Sequence, residues 1–194
     1  MKNKLKQLIL EQSEKLLEMA DRIFDNPEYD GEEVFASGLL EDYLERNGFQ
    51  VERGLGSWDT AFRAVWRNGE GGPRIGLLCE YDALRKLGHG CGHHMQGPAI
   101  CGTAVALKNA GIQEPFELIV YGTPAEETRG AKITLWEDGY FRDIDVALMM
   151  HGGPATQVDV KSLALNKLKI IYHGVCSHAA LKPEKGRSAL MAAC

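Results

Sequence analysis

Apolar residues recur at helical spacing in the first part of the chain. Leu5, Leu8, Ile9, Leu16, Met19, Ala20 and Ile23 predict an amphipathic helix over 4–24, which Asn26-Pro27 ends. Val34, Leu39, Leu40, Tyr43 and Leu44 predict a second helix over 32–46, closed by Asn47-Gly48. The period then changes. Residues 49–52 and 60–66 alternate like strands, and 75–79 is a short apolar run that predicts a buried strand. A helix over 97–110, a strand over 116–121, a short helix over 130–138 and a second buried strand over 146–150 follow. Strands alternating with helices predict an α/β fold: a mixed, partly parallel sheet flanked by helices.

The pattern shifts again near Lys161, which sets the expected domain boundary. Residues 1–161 would form the main domain, and 162–194 the start of a small α+β domain. In the second part, Leu165 to Tyr172 predicts a strand, and a helix begins near Gly186. Ser188 to Cys194 carries no stop signal, so the reading is of a chain cut short within that helix.

Composition narrows the class. Of 194 residues, 44% are apolar and 25% charged, which excludes a disordered chain. A net charge of −5 with no basic run argues against a nucleic-acid partner. No apolar run reaches the length of a membrane helix, and Glu11 interrupts Leu8-Ile9-Leu10 too early for a secretory signal. The expected compartment is the cytoplasm, with no membrane partner. Five cysteines, an odd number without a Cys-x-x-Cys pair, argue against a disulfide framework and leave metal ligation or nucleophilic chemistry open.

The chemistry-bearing residues cluster at predicted strand ends, where ligands bind in α/β sheets. Gly88-His89-Gly90-Cys91-Gly92-His93-His94 follows the strand 75–79. A thiolate and an imidazole two residues apart can face one point, and they suit a borderline-soft divalent ion. Glu126-Glu127 follows the strand 116–121, where one carboxylate could hold a metal while its neighbour reaches the attacking water. His151 ends the strand 146–150, and Asp82 follows 75–79, placed to orient a ligand. Each cluster alone also fits a polar loop; together, at three strand ends, they point to a metal-dependent hydrolase.

Five segments in order carry a resemblance: Cys79-Glu80-Tyr81-Asp82-Ala83-Leu84, Gly88-His89-Gly90-Cys91-Gly92-His93, Pro124-Ala125-Glu126-Glu127, His151-Gly152-Gly153-Pro154 and Ser177-His178-Ala179-Ala180. They resemble the dinuclear-metal amidohydrolases of the M-twenty metallopeptidase family, nearest its aminobenzoyl-glutamate hydrolase branch. The resemblance implies a zinc-exopeptidase-like catalytic domain followed by a lid domain. It implies hydrolysis of an amide bond in an N-acyl amino acid, a dipeptide or an aminobenzoyl-glutamate-like substrate. The implied cofactor is two divalent metal ions, zinc or manganese, with cobalt or nickel as further options. Cys91, His93, Glu127 and His151 would be metal ligands, Glu126 the general acid/base and Asp82 a supporting catalytic residue. His178 would hold the substrate from the lid, through which the chain would form a homodimer; Pro183-x-x-Gly186-x-x-Ala189-Leu190 resembles the lid loop. His94 stands where relatives have Asp or Asn, and Arg85-Lys86 replaces a proline-containing turn. Members of the family are twice as long and add a final histidine ligand from their second half. Two other readings make different predictions: a catalytically incompetent fragment that binds metal only in part, and a cysteine hydrolase with Cys91 as nucleophile and His93 as base.

Overall fold

The computed structural model describes residues 1–158, 160, 164–165 and 168–194. Two units divide between Pro154 and Ala155. Lys161, where the composition shifts, lies outside the described residues.

In the first unit, α1 (Lys2–Phe24) and α2 (Val34–Arg46) precede the hairpin β1 (Gln50–Leu55) and β2 (Trp58–Asn68). Then come β3 (Arg74–Cys79), α3 (His93–Asn109), β4 (Phe116–Gly122), α4 (Ala131–Glu137) and β5 (Val146–Leu148). The sheet order is β1-β2-β4-β3-β5. β2 runs antiparallel to both β1 and β4, whereas β3 is parallel to both β4 and β5. The mixed, partly parallel sheet flanked by helices is the fold that the alternating pattern predicts.

Side chains alternate across the sheet and so feed two cores. Phe62, Ala64, Leu118 and Val120 face α1, α2 and α3, packing with Met19, Ile23, Leu40, Leu44 and Cys101. Ala61 points the other way, with Leu55 and Trp58, onto Ala131 and Leu135 of α4. β4 is buried along its whole length, as a central strand should be. At its end a Cβ on Gly122 would stand 2.2 Å from the Phe62 ring, so only glycine lets that ring lie against the strand. Phe62 is also stacked on Tyr81, with centroids 6.0 Å apart, and the Tyr81 hydroxyl donates to the Thr60 carbonyl at 2.7 Å.

Three expectations need correction. The strand at 146–150 is not buried: β5 is a three-residue strand at the sheet margin, paired to β3, and its residues are exposed. An apolar run indicates a strand but does not supply the layer that would cover it. The helix expected at 97–110 begins four residues earlier, at His93, because Gly92 adopts the left-handed conformation (φ 88°) and turns the chain into it. The strand expected over Leu165 to Tyr172 does not form among its described residues. Leu165 and 168–172 are exposed and belong to no ladder, and Asn166 and Lys167 lie outside the described residues. A strand exists through the partners of its N–H and C=O groups, and none of the described residues supplies them.

The second unit has its own short elements. Val175 and Arg187 form an antiparallel bridge around a 3-10 turn, Pro183–Lys185. α5 (Ala189–Ala193) starts on Ser188, whose hydroxyl accepts from the Met191 N–H at 3.2 Å.

Candidate metal centre

Because β3 is parallel to both β4 and β5, the carboxyl ends of all three strands lie along one edge of the sheet. Glu80 and Asp82 leave β3 there, Glu126 and Glu127 leave β4, and His151 follows β5. The loop after β3 returns to the same edge and enters α3, which brings Cys91 and His93 to it. The chain topology therefore assembles the site, in the crevice beyond the strand ends where α/β sheets hold ligands.

Two groups of donor atoms result, each lying within 4.8 Å of one another: Cys91, His93 and His151, and Glu80, His93 and Glu126. His93 belongs to both. Its Nδ1 lies 2.9 Å from Asp82 Oδ1 and 3.1 Å from the Asp82 carbonyl oxygen, both acceptors, so Nδ1 carries a proton. That leaves Nε2 facing the site. It is buried and makes no hydrogen bond, while Glu80 Oε2 stands 3.3 Å away and Glu127 Oε1 4.0 Å away. A carboxylate that holds a histidine by one nitrogen and aims the other at a common point is the usual support for a metal ligand.

The donor spacing fits a divalent ion. At zinc bond lengths of about 2.3 Å to sulfur and about 2.0 Å to nitrogen, two tetrahedral ligands stand about 3.5 Å apart. Cys91 Sγ and His151 Nε2 are separated by 3.5 Å.

Electrostatics agree with that fit. Burial works against charge on Asp82, but the His93 hydrogen bond and the Glu127 N–H (3.0 Å to Oδ2) outweigh it and hold the carboxyl below its ordinary range. Burial likewise opposes a charged His93, yet the bond to Asp82 and the surrounding carboxylates raise its pKa. Burial, then the neighbouring Glu127, pushes the Cys91 thiol up to about 12. Nucleophilic cysteines sit in electropositive surroundings that lower the thiol pKa. Cys91 sits in the opposite environment, half-buried among carboxylates that favour the neutral thiol. The cysteine-hydrolase reading therefore lacks its chemistry.

The turn that presents the paired glutamates is unusual. Ala125 is buried with φ 54°, a left-handed conformation rare outside glycine, and its carbonyl accepts from the Gly130 N–H at 2.7 Å. Glu126 emerges exposed and Glu127 half-buried, and both lie within reach of His93.

Not every histidine of the glycine-rich loop belongs to the centre. His89 and His94 pack with Phe24 as an aromatic cluster, their own rings 5.2 Å apart, and burial together with the His94 charge depresses His89 to about 4. His178 lies in the second unit. There its Nδ1 accepts from the N–H groups of Ala180 and Leu181, which places its proton on Nε2.

Sequence reasoning passed over three residues of the centre. Gln96 accepts from the Glu80 N–H (2.8 Å) and donates both to Glu80 Oε2 (3.0 Å) and to the Met150 carbonyl (2.7 Å), linking the β3 and β5 ends. Its position three residues after His93, on the same helix face, was the available signal. Glu80 was visible only as a polar strand end. Lys132, which pairs with Glu80 Oε1, had no local signal.

The role of Asp82 can be tested directly. Asp82→Asn keeps the shape but turns an amide N–H towards one of two donors, His93 Nδ1–H or the Glu127 N–H. We expect zinc affinity to fall by about 10- to 100-fold with unchanged circular dichroism, measured by calorimetric titration. Unchanged affinity would show that Asp82 does not position His93.

No family model matches the chain. Similarity to individual proteins is clear. The chain is 37% identical to the Xaa-Arg dipeptidase of Mus musculus, a match covering 100% of this chain and 48% of that protein. It is 36% identical to a p-aminobenzoyl-glutamate hydrolase component of Escherichia coli, across 89% of this chain and 40% of that one. Its fold superposes, with a TM-score of 0.63 and 23% identity, on a Bacillus subtilis protein described as a dinuclear metal-binding peptidase of the M-twenty family, covering 77% of this chain and 44% of that one. The chain thus spans about half the length of the curated relatives it matches. With 37% and 36% identity to these hydrolases and a fold shared with that peptidase, the chain belongs to the M-twenty metallopeptidase family.

Proposed function

We propose that the protein hydrolyses an amide bond in a small molecule: an N-acyl amino acid, a dipeptide or an aminobenzoyl-glutamate-like compound. The observation that carries this reading is the convergence of two donor groups on His93, beside paired carboxylates at one sheet edge. The names of the relatives at 37% and 36% identity favour two substrates for trial: dipeptides with a carboxyl-terminal arginine, and p-aminobenzoyl-glutamate.

Cys91, His93, His151 and Glu127 would hold two divalent ions, zinc or manganese first, with cobalt and nickel also suited to such donors. When bound, such ions polarise the amide carbonyl and acidify water. The chain's own groups do the rest. Glu126, exposed beside the ligands, accepts the proton of the attacking water and returns it to the leaving amine. Asp82 keeps His93 oriented throughout. His178, with its proton on Nε2, can donate a hydrogen bond to a substrate carbonyl or carboxylate. We also propose that the chain pairs with a second copy through the second unit, and that it works in the cytoplasm. All five cysteines are free, as a reducing compartment would keep them, and no described helix is long and apolar enough to cross a membrane.

The test is hydrolysis of the two substrates by protein loaded with zinc or manganese. Turnover that disappears on chelation and returns with metal is the expected result. Turnover indifferent to chelation would contradict the proposal.

A further inference from the structure

We propose that Glu80 is itself a metal ligand, sharing one ion with His93, and that Lys132 and Gln96 hold it in place for that purpose. The inference rests on reading the site as a metal centre, and it adds a carboxylate to the ligands assigned above.

Glu80 is buried at 1% exposure, where an ionised carboxylate is costly unless each oxygen has a purpose. Oε1 is paired with the Lys132 ammonium. Oε2 accepts one hydrogen bond, from Gln96 Nε2 at 3.0 Å, and otherwise faces His93 Nε2 at 3.3 Å. The His93 proton is on Nδ1, held by Asp82, so Nε2 presents a lone pair, buried at 1% exposure and without a hydrogen bond. With His93 neutral, two electron-rich atoms face each other across a buried gap, which is unfavourable unless positive charge lies between them, as a second imidazole proton or as a metal ion. With bonds of about 2.0 Å to nitrogen and oxygen, two tetrahedral zinc ligands stand about 3.3 Å apart. The gap has that width.

The neighbouring groups support the same division. Glu126 also offers a donor atom within 4.8 Å of one from Glu80 and one from His93, and Glu127 Oε1 is 4.0 Å from His93 Nε2. Cys91 and His151 form a second close pair at 3.5 Å. The donors thus fall into a sulfur–nitrogen pair and an oxygen–nitrogen pair. Lys132 neutralises the oxygen that points away from His93, and Gln96, anchored to the Met150 carbonyl, fixes the rotation of the one that points towards it.

Cobalt(II) titration of the 194-residue chain separates the possibilities, because thiolate-to-cobalt absorption reports the Cys91 pair while elemental analysis counts all bound ions. For Glu80→Gln we expect the thiolate band to persist while one ion is lost or bound about 10- to 100-fold more weakly. Glu80→Asp keeps the charge for Lys132 but withdraws the oxygen from His93, and should behave alike if Glu80→Gln fails to fold. Lys132→Met removes the ion pair that holds Glu80 but spares the donor, so that ion should be weakened less than in Glu80→Gln. Wild-type affinity and count in both Glu80 variants would overturn the proposal. So would a loss in Lys132→Met equal to that in Glu80→Gln, since Glu80 would then act only through packing. A wild-type chain that binds no cobalt would overturn the metal-centre reading itself, and the Glu80 assignment with it.

Discussion

Glu126→Gln should lower amide hydrolysis by about 10²- to 10⁴-fold while leaving the metal content unchanged. The side chain is exposed at the end of β4, so the substitution costs the fold little. The amide cannot take a proton from water, which removes the base and the later acid in one change. The loss should fall on kcat rather than KM, because the charge is needed when the proton moves. Steady-state kinetics alongside elemental analysis separates this from Glu127→Gln, for which metal loss should accompany the loss of rate. Full activity in Glu126→Gln would remove it as the proton carrier.

Phe62→Ala should have the largest effect on stability. Phe62 is fully buried, stacked on Tyr81 and fitted against Gly122, where no other residue would leave it room. Truncation would open a buried cavity between β2 and the end of β4 and cost about 3–5 kcal/mol. In a chain of this size that lowers the melting temperature by roughly 10 °C or more. The cavity would lie beside the last residue of β4, directly before the turn that carries Glu126 and Glu127, so metal affinity should fall as well. Thermal melts by circular dichroism, with and without zinc, check both. A melting temperature within a degree or two of the parent would mean that this ring does not hold the sheet end.

Elements set by their own side-chain pattern were readable from sequence. α1 and α2 display apolar stripes, and β4 is mostly apolar, with Glu117 its one charged residue, and buried along its length. The positions of Cys91, His93, Glu126, Glu127 and His151 at strand ends were readable too, since parallel strands collect their carboxyl ends at one edge. What depends on partners was not. Val146 and Leu148 have a buried strand's composition, but burial requires a covering layer. Leu165 to Tyr172 has a strand's composition, but a ladder requires a neighbour. Glu80 and Lys132 are 52 residues apart, and only the crossover from β3 through α3 and β4 to α4 brings them together. The start of α3 was misplaced because glycines at 90 and 92 read as a loop, whereas Gly92 turns the chain into the helix.

The most direct test of the account is the metal content of the purified chain after dialysis against buffered zinc or manganese. The geometry predicts close to two ions per chain, falling when Cys91 or His93 is replaced by alanine. A chain that retains no ion, or whose content is the same without Cys91 and His93, would contradict it.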